Sequence, residues 1–165
     1  MTSVVRKLTT GVVAGALGTL AMDLVWYRRY RRGGGEDTFA GWEFATSTSS
    51  FDEASAPGQV GHKLASTLGV TLPDHTAGLT TNVMHWLAGV GYGAAHGLVF
   101  PRRGPVVGGL ATGVGAFANS YATLGAMGVY QPIWEYDTQV LAKDLSAHLL
   151  FGLVAGAAFR ALQGR

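Results

Sequence analysis

Of the polar side chains that lie inside otherwise apolar stretches of this sequence, six are the groups that could do chemistry. They are Asp23, Asn82, His85, Tyr121, Asp144 and His148. Histidine changes charge closest to neutral pH, and carboxylates are its natural partners. An ionisable group inside an apolar span costs about 2.5 to 3.5 kcal/mol near the span centre, so each one needs a partner, water or a function. The pattern therefore predicts a proton-responsive or ligand-binding site.

Spacing places some of these groups on shared helix faces. Asp144 and His148 are four residues apart, and Asn82 and His85 are three apart. An Asp that accepts a hydrogen bond from an imidazole would fix the tautomer and stabilise the charged ring. Counted at about 1.5 Å per residue, the groups fall roughly 5 to 17 Å from one membrane side, with Asp23 close to the same layer. Four helices would thus contribute to one polar belt.

The same belt has two other interpretations. Its members could simply hydrogen-bond across helices and hold the bundle in register, at about 0.6 kcal/mol and seldom more than about 2 kcal/mol each. Alternatively, His85 and His148 could be paired axial ligands of a haem, with His96 about 16 Å further along the helix for a second one. Asp144 would then place a charge beside the porphyrin. We therefore expect no cofactor and no metal.

No motif of a known catalytic class accompanies these groups. The spacing Gly109-x-x-x-Gly113-x-Gly115 resembles that of nucleotide-binding dehydrogenases, but no following strand pattern or acidic ribose-binding position supports it. The sequence has no Gly-x-Ser-x-Gly elbow, no His-Glu-x-x-His helix and no Walker lysine. It also has no cysteine, which excludes thiol nucleophiles, thiolate metal sites and disulfides. We predict that the protein is not an enzyme.

The elements that must position the polar groups are four apolar stretches. They cover about 9–27, 79–100, 106–130 and 138–162, and each is long enough to cross a bilayer. Only 13% of the 165 residues are charged, against about a quarter in soluble domains. Each stretch repeats a Gly-x-x-x-Gly spacing, which lets helix backbones approach closely in lipid. The spaced glycines are Gly11, Gly15, Gly89, Gly93, Gly97, Gly109, Gly113, Gly152 and Gly156.

These stretches predict one all-α domain over 1–165, an integral membrane four-helix bundle. Its second and third helices would form an antiparallel hairpin because only a short Pro- and Gly-containing turn joins them. Residues 33–78 are acidic, with a single lysine, and are expected to lie outside the membrane. Within them Val60, Leu64 and Leu68 follow Pro57 on one helical stripe. That stripe predicts a short amphipathic helix on the membrane surface or across the end of the bundle.

The positive charges leave the orientation open. The positive-inside rule puts both termini and the Arg102/Arg103 turn in the cytoplasm. Four spans would then put the arginine cluster after the first stretch outside, against the rule. The cluster is Arg28, Arg29, Arg31 and Arg32. Such a cluster is typical of contact with lipid phosphates, and no motif or interleaved aromatic pattern indicates nucleic acid. A signal peptide is an alternative for the first stretch, although its Ala-x-Ala site comes too early.

Three parts of the sequence are similar to motifs of a known protein family. They are Gly11-Val-Val-Ala-Gly15 with Met22-Asp23, the run Asn82 to Gly93, and Trp134-Glu135 followed by Asp144-Leu-Ser-Ala-His148. Together they resemble the YagU-like family of small bacterial inner-membrane proteins, most specifically in His-Trp-x-x-Gly-x-x-Tyr-Gly. The resemblance implies a multi-pass protein of the bacterial plasma membrane, surrounded by lipid, with no established biochemical activity.

Two functions follow as expectations. The first is a non-enzymatic membrane protein that responds to protons, or handles a small ligand or ion, through the polar belt. The second is a structural or accessory membrane subunit that assembles with itself or with another membrane protein through its Gly-x-x-x-Gly faces. Four helices enclose little space, so a conducting path would require an oligomer.

Overall fold

Six helices and two short 3-10 turns make up the ordered elements of this protein. The computed structural model describes residues 3–164. The helices are α1 Ser3–Arg32, α2 Phe39–Glu43, α3 Ala56–Thr67, α4 Ala77–Val99, α5 Pro105–Ala126 and α6 Thr138–Leu162. The 3-10 turns cover Asp74–Thr76 and Ile133–Glu135. No strand occurs among the described residues, and the expectation of an all-α chain is confirmed.

Local chemistry explains where the long helices begin and end. α6 begins after Asp137, whose carboxylate accepts a hydrogen bond from the Gln139 N–H at 2.7 Å. α5 ends at Ala126, short of the expected residue 130, because Gly128 adopts a positive φ of 65° and turns the chain. α1 extends well beyond the expected 9–27 and ends at Arg32, where basic side chains complement the helix dipole.

The four long helices pack as two antiparallel pairs, α1 with α4 and α5 with α6. Glycines face glycines in both pairs. A Cβ placed on Gly15 would lie 2.5 Å from the Gly89 carbonyl oxygen, and one on Gly109 would lie 2.6 Å from the Gly152 carbonyl oxygen. All nine spaced glycines lie in such contacts between helices of this chain. A side chain at these positions would therefore force the paired backbones apart.

Larger side chains fill the space where the two pairs meet. α1 packs against α6 there, and Met22, Ala147 and Phe151 form a buried cluster. Tyr92 packs against this cluster and accepts a hydrogen bond from the Asn119 amide at 2.7 Å, which links α4 to α5. Gly18 of α1 also lets α6 approach closely, because a Cβ there would lie 2.7 Å from the Phe151 carbonyl oxygen. The contact between the pairs therefore combines side-chain packing with one close backbone approach.

Bulky apolar side chains point outward on all four long helices. Leu79 of α4 is 65% exposed and Val107 of α5 is 63% exposed, and α1 and α6 expose Leu24 and Val140 in the same way. The interior is built largely from glycine and alanine instead. Within residues 3–164, two helices are long and apolar enough to cross a membrane, α1 and α6.

The short helix α3 lies where the amphipathic helix is expected, but the two leucines of the expected apolar stripe face away from the protein and Val60 is half-buried. Gly58 and Gly61 form the buried face, and they meet Thr81, Thr80 and Met84 of α4. Leu64 and Leu68 are exposed. Small residues let α3 approach α4 closely, so the leucines remain on the outer side of the helix.

Candidate functional site

The six polar residues of the expected belt fall into two groups. Asp23, Asn82 and His85 lie where α1, α4 and α2 meet, and Tyr121, Asp144 and His148 lie between α5 and α6. No hydrogen bond or ion pair between residues 3 and 164 joins one group to the other. The six residues thus form two separate polar sites, one in each glycine-paired half.

The first site is centred on a buried carboxylate. Asp23 is only 3% exposed, and its Oδ1 lies 2.8 Å from Nε2 of His85. Its other oxygen, Oδ2, is buried and has no hydrogen-bond partner. Burial of a charge costs desolvation free energy unless the charge is paired, and His85 is the partner that offsets this cost for Asp23. His85 itself is partly exposed, whereas Asp23 is buried.

Glycine packing explains why these two side chains meet. α1 and α4 are in backbone contact at Gly15 and Gly89. Gly15 lies about two turns before Asp23 on α1, and Gly89 lies about one turn after His85 on α4. At that separation, short side chains such as Asp and His can span the gap between helices. The hydrogen bond joins positions that are 62 residues apart in sequence. Any change that separates α1 from α4 should therefore lengthen it.

Helix α2 packs beside this pair, at the carboxyl-terminal end of α1. Thr38 caps α2 by accepting a hydrogen bond from the Gly41 N–H at 3.2 Å. Phe39 and Trp42 pack on Tyr27 of α1, with ring centroids 5.2 and 5.7 Å apart. An aromatic contact therefore holds α2 against the end of α1.

Glu43, the last residue of α2, brings a second carboxylate to the site. Its Oε1 accepts a hydrogen bond from Trp86 Nε1 at 2.7 Å, and its backbone carbonyl accepts one from the Asn82 amide at 3.0 Å. Burial raises the pKa of Glu43 above its ordinary value of 4.5, and the nearby charge of Asp23 acts in the same direction. Asp23, His85 and Glu43 thus form one electrostatic unit.

Sequence reasoning missed Glu43, which was assigned to the acidic extramembrane loop. The sequence feature that could have identified Glu43 is the segment around it, Phe39-Ala-Gly-Trp42-Glu43-Phe44, which is an aromatic cluster inside an otherwise polar stretch. Such a cluster predicts a segment that docks on the protein. Because Glu43 belongs to this segment, docking of the segment places Glu43 in the site.

A groove opens beside Glu43, between α2 and the helices that it covers. Its volume is about 310 Å³. Leucine and aromatic side chains form most of its wall, and Glu43 and Asn82 supply polar atoms. The groove is open to the surface, and its wall is mostly apolar with two polar groups.

The second site is more local. Nδ1 of His148 lies 3.2 Å from Oδ1 of Asp144 and 3.0 Å from its backbone oxygen, as the four-residue spacing on α6 allows. The Asp144 carboxylate also interacts with Tyr121, whose ring packs against Tyr130 and Tyr136 at 5.2 and 5.3 Å. Rings this close leave no space for a ligand between them. This site is a packed polar contact rather than a cavity.

Comparisons with known proteins add no relative: no family model, curated protein or solved structure matches the chain. Among residues 3–164, no group of three or more Asp, Glu or His side chains is arranged to hold a metal ion. The fold and the first site therefore define the class of protein. It is an all-helical protein with two helices apolar enough to cross a membrane and a buried carboxylate–imidazole pair between helices.

Proposed function

We propose that this chain is a non-enzymatic, multi-pass membrane protein that responds to protons through the Asp23–His85 pair. One observation carries the proposal: a carboxylate that is 3% exposed is bonded to a single imidazole and leaves its second oxygen without a partner. A site built only for stability would satisfy both oxygens, because an unsatisfied buried acceptor costs about 1 to 3 kcal/mol.

The distribution of side chains supports four crossings of the bilayer. A water-soluble bundle buries its leucines and valines, whereas here these residues point outward on every long helix and small residues fill the interior. Lipid favours that arrangement, because apolar side chains are compatible with lipid and close backbone packing then holds helices together. α4 and α5 contain 23 and 22 residues and are therefore about 33 to 35 Å long, which suffices for a bilayer core.

The chemistry of the pair follows from its charge. When His85 is neutral, the pair carries one negative charge, and uptake of a single proton makes it an imidazolium–carboxylate pair with no net charge. Glu43 lies close enough to interact with both charges. Proton uptake therefore changes the electrostatic repulsion that the pair exerts on Glu43, and with it the attachment of α2. The movable element in this proposal is α2.

The sequence resemblance supports a bacterial plasma-membrane location and membership of the YagU-like family, and we include both in the proposal. Assembly through the Gly-x-x-x-Gly faces is less well supported. All nine glycines are already engaged by helices of the same chain. A second copy or another membrane protein would have to use the outer apolar faces instead.

A pH titration of the histidine side chains tests the proposal. The full chain in lipid nanodiscs, labelled with ¹⁵N on its histidine rings, is compared with Asp23→Asn. Loss of the charged partner should move the midpoint of the His85 signal by about one pH unit or more, since a charge-assisted hydrogen bond contributes about 1.5 to 3 kcal/mol. Asp144→Asn is the matched control, which makes the same chemical change at the second site and should leave the His85 signal unchanged. An identical His85 midpoint in Asp23→Asn would refute the proposal.

A further inference from the structure

We propose that the groove between α2, α1 and α4 binds a small organic ammonium ion that carries an apolar group. The proposal deepens the function proposed above and rests on it for the role of the Asp23–His85 pair. The groove of about 310 Å³ combines four large apolar side chains with one carboxylate. The four are Leu20, Phe39, Phe44 and Trp86.

The charge of the groove favours a cation. Among the described residues, no lysine or arginine lines it. Oε1 of Glu43 accepts hydrogen bonds from Trp86 at 2.7 Å and from the Asn82 amide at 3.4 Å, and Oε2 accepts none within residues 3–164. The charged groups that act on Glu43 are Asp23 from α1 and His85 from α4, and α2 itself carries no other ionisable side chain. The three groups together carry a net charge of −1 when His85 is protonated and −2 when it is neutral.

The buried Asp23 supplies an independent observation. Asp23 is 3% exposed, its Oδ2 has no hydrogen-bond partner within residues 3–164, and its charge acts on Glu43 although it does not line the groove. A monovalent cation bound at Glu43 would partly offset the negative charge of both carboxylates. An anion at the same place would increase the repulsion.

The aromatic wall favours an organic ammonium over a metal ion. The faces of aromatic rings attract ammonium groups, most strongly those of tryptophan. The hydrogen bond from Nε1 to Glu43 holds Trp86 in place beside the carboxylate. Phe39, Phe44 and Leu20 extend the wall and would cover an apolar substituent of the ligand. The small volume limits that substituent to about the size of one ring.

Benzyltrimethylammonium is a suitable probe, because a quaternary ammonium cannot gain or lose a proton and its pH dependence therefore reports the protein. Binding is measured by calorimetry on the full chain in dodecyl maltoside micelles, which carry no charge. We expect saturable binding of one probe per chain, weaker binding as Glu43 becomes protonated, and no saturable binding of the neutral analogue benzyl alcohol.

Variants separate the site from the micelle surface. Glu43→Gln keeps an acceptor for Trp86 but removes the charge, and it should weaken binding by about tenfold or more. Glu36→Gln makes the same chemical change at an exposed position outside the groove and should have no effect. Trp86→Leu should weaken binding by about threefold to thirtyfold. Thermal unfolding of each variant shows whether the fold is retained, and Phe39→Leu provides a second, milder change to the wall.

Several results would overturn the proposal. They are the absence of saturable binding, equal binding of benzyl alcohol, or equal losses in Glu43→Gln and Glu36→Gln. Competition by added phosphatidylethanolamine would also overturn it, because a lipid amine rather than a free ligand would then occupy the groove. The titration of His85 is measured without a probe. If the midpoint of the His85 titration depends on Asp23 but the probe does not bind, only the ligand proposal is refuted. If that midpoint is the same in Asp23→Asn, the proposed function is refuted.

Discussion

Replacing Gly93 by alanine should destabilise the protein by separating α1 from α4. A Cβ on Gly93 would lie 2.6 Å from the backbone nitrogen of Gly15 and would also meet the Gly15 Cα and the Gly11 carbonyl oxygen. Carbon atoms in good contact are about 3.5 to 4.0 Å apart, so α1 must retreat by about 1 Å. Its neighbours in this contact are backbone atoms, which cannot rotate away. Overpacking of this kind costs about 1 to 3 kcal/mol.

Gly91→Ala is the matched control on the same helix. A Cβ there would meet no atom within 4 Å, so the change should be neutral or should stabilise α4 by up to about 1 kcal/mol. Unfolding of both variants is followed in mixed micelles by circular dichroism as denaturing detergent is added. The same separation should lengthen the Asp23–His85 hydrogen bond and alter the His85 titration in Gly93→Ala. Equal stability of the two variants would refute the close approach of α1 and α4.

Two further predictions concern Glu43 and the beginning of α6. Because burial raises the pKa of Glu43, the folded state holds this proton to higher pH than the unfolded state, and stability should fall as the pH rises from 4.5 through the raised pKa. Glu43→Gln should remove that fall in a pH series of unfolding measurements, and a persistent fall would assign it to another group. Asp137→Ala removes the cap of α6 and should cost about 1 kcal/mol, whereas Asp137→Asn should retain most of the stability in the same assay.

Local features of the fold were predictable, because they depend on spacing within one helix. α6 covers 138–162 because an acidic cap, an apolar run and terminal basic residues all agree there. The contact between Asp144 and His148 likewise follows from a four-residue spacing on that helix. Such features need no knowledge of tertiary structure.

The pairing of Asp23 with His85 could not be read from spacing. Both residues stand out as polar groups in apolar stretches, but which imidazole meets which carboxylate depends on the register of α1 against α4. That register is set by glycine contacts at Gly11, Gly15 and Gly93, and Gly-x-x-x-Gly spacings on four helices allow several pairings. This is why the sequence predicts a layer of polar groups but not which of them are bonded to one another.

The exposed stripe of α3 has a different cause. The expectation that Val60, Leu64 and Leu68 would mark a helix at the surface or end of the bundle rested on their spacing, which does not determine the packed face. In this helix Gly58 and Gly61 allow the closer contact with α4, and the leucines stay outside. A protein that directs leucines outward on its long helices can do the same on a short one.

The multi-pass arrangement is the central claim, and cysteine accessibility tests it most directly because the natural chain has no cysteine. Single substitutions Ser3→Cys, Asp52→Cys, Arg103→Cys and Glu135→Cys are labelled with a membrane-impermeant maleimide in vesicles of known orientation. Four crossings predict that Ser3→Cys and Arg103→Cys react from one side and that Asp52→Cys and Glu135→Cys react from the other. Labelling of all four positions from the same side would contradict the account.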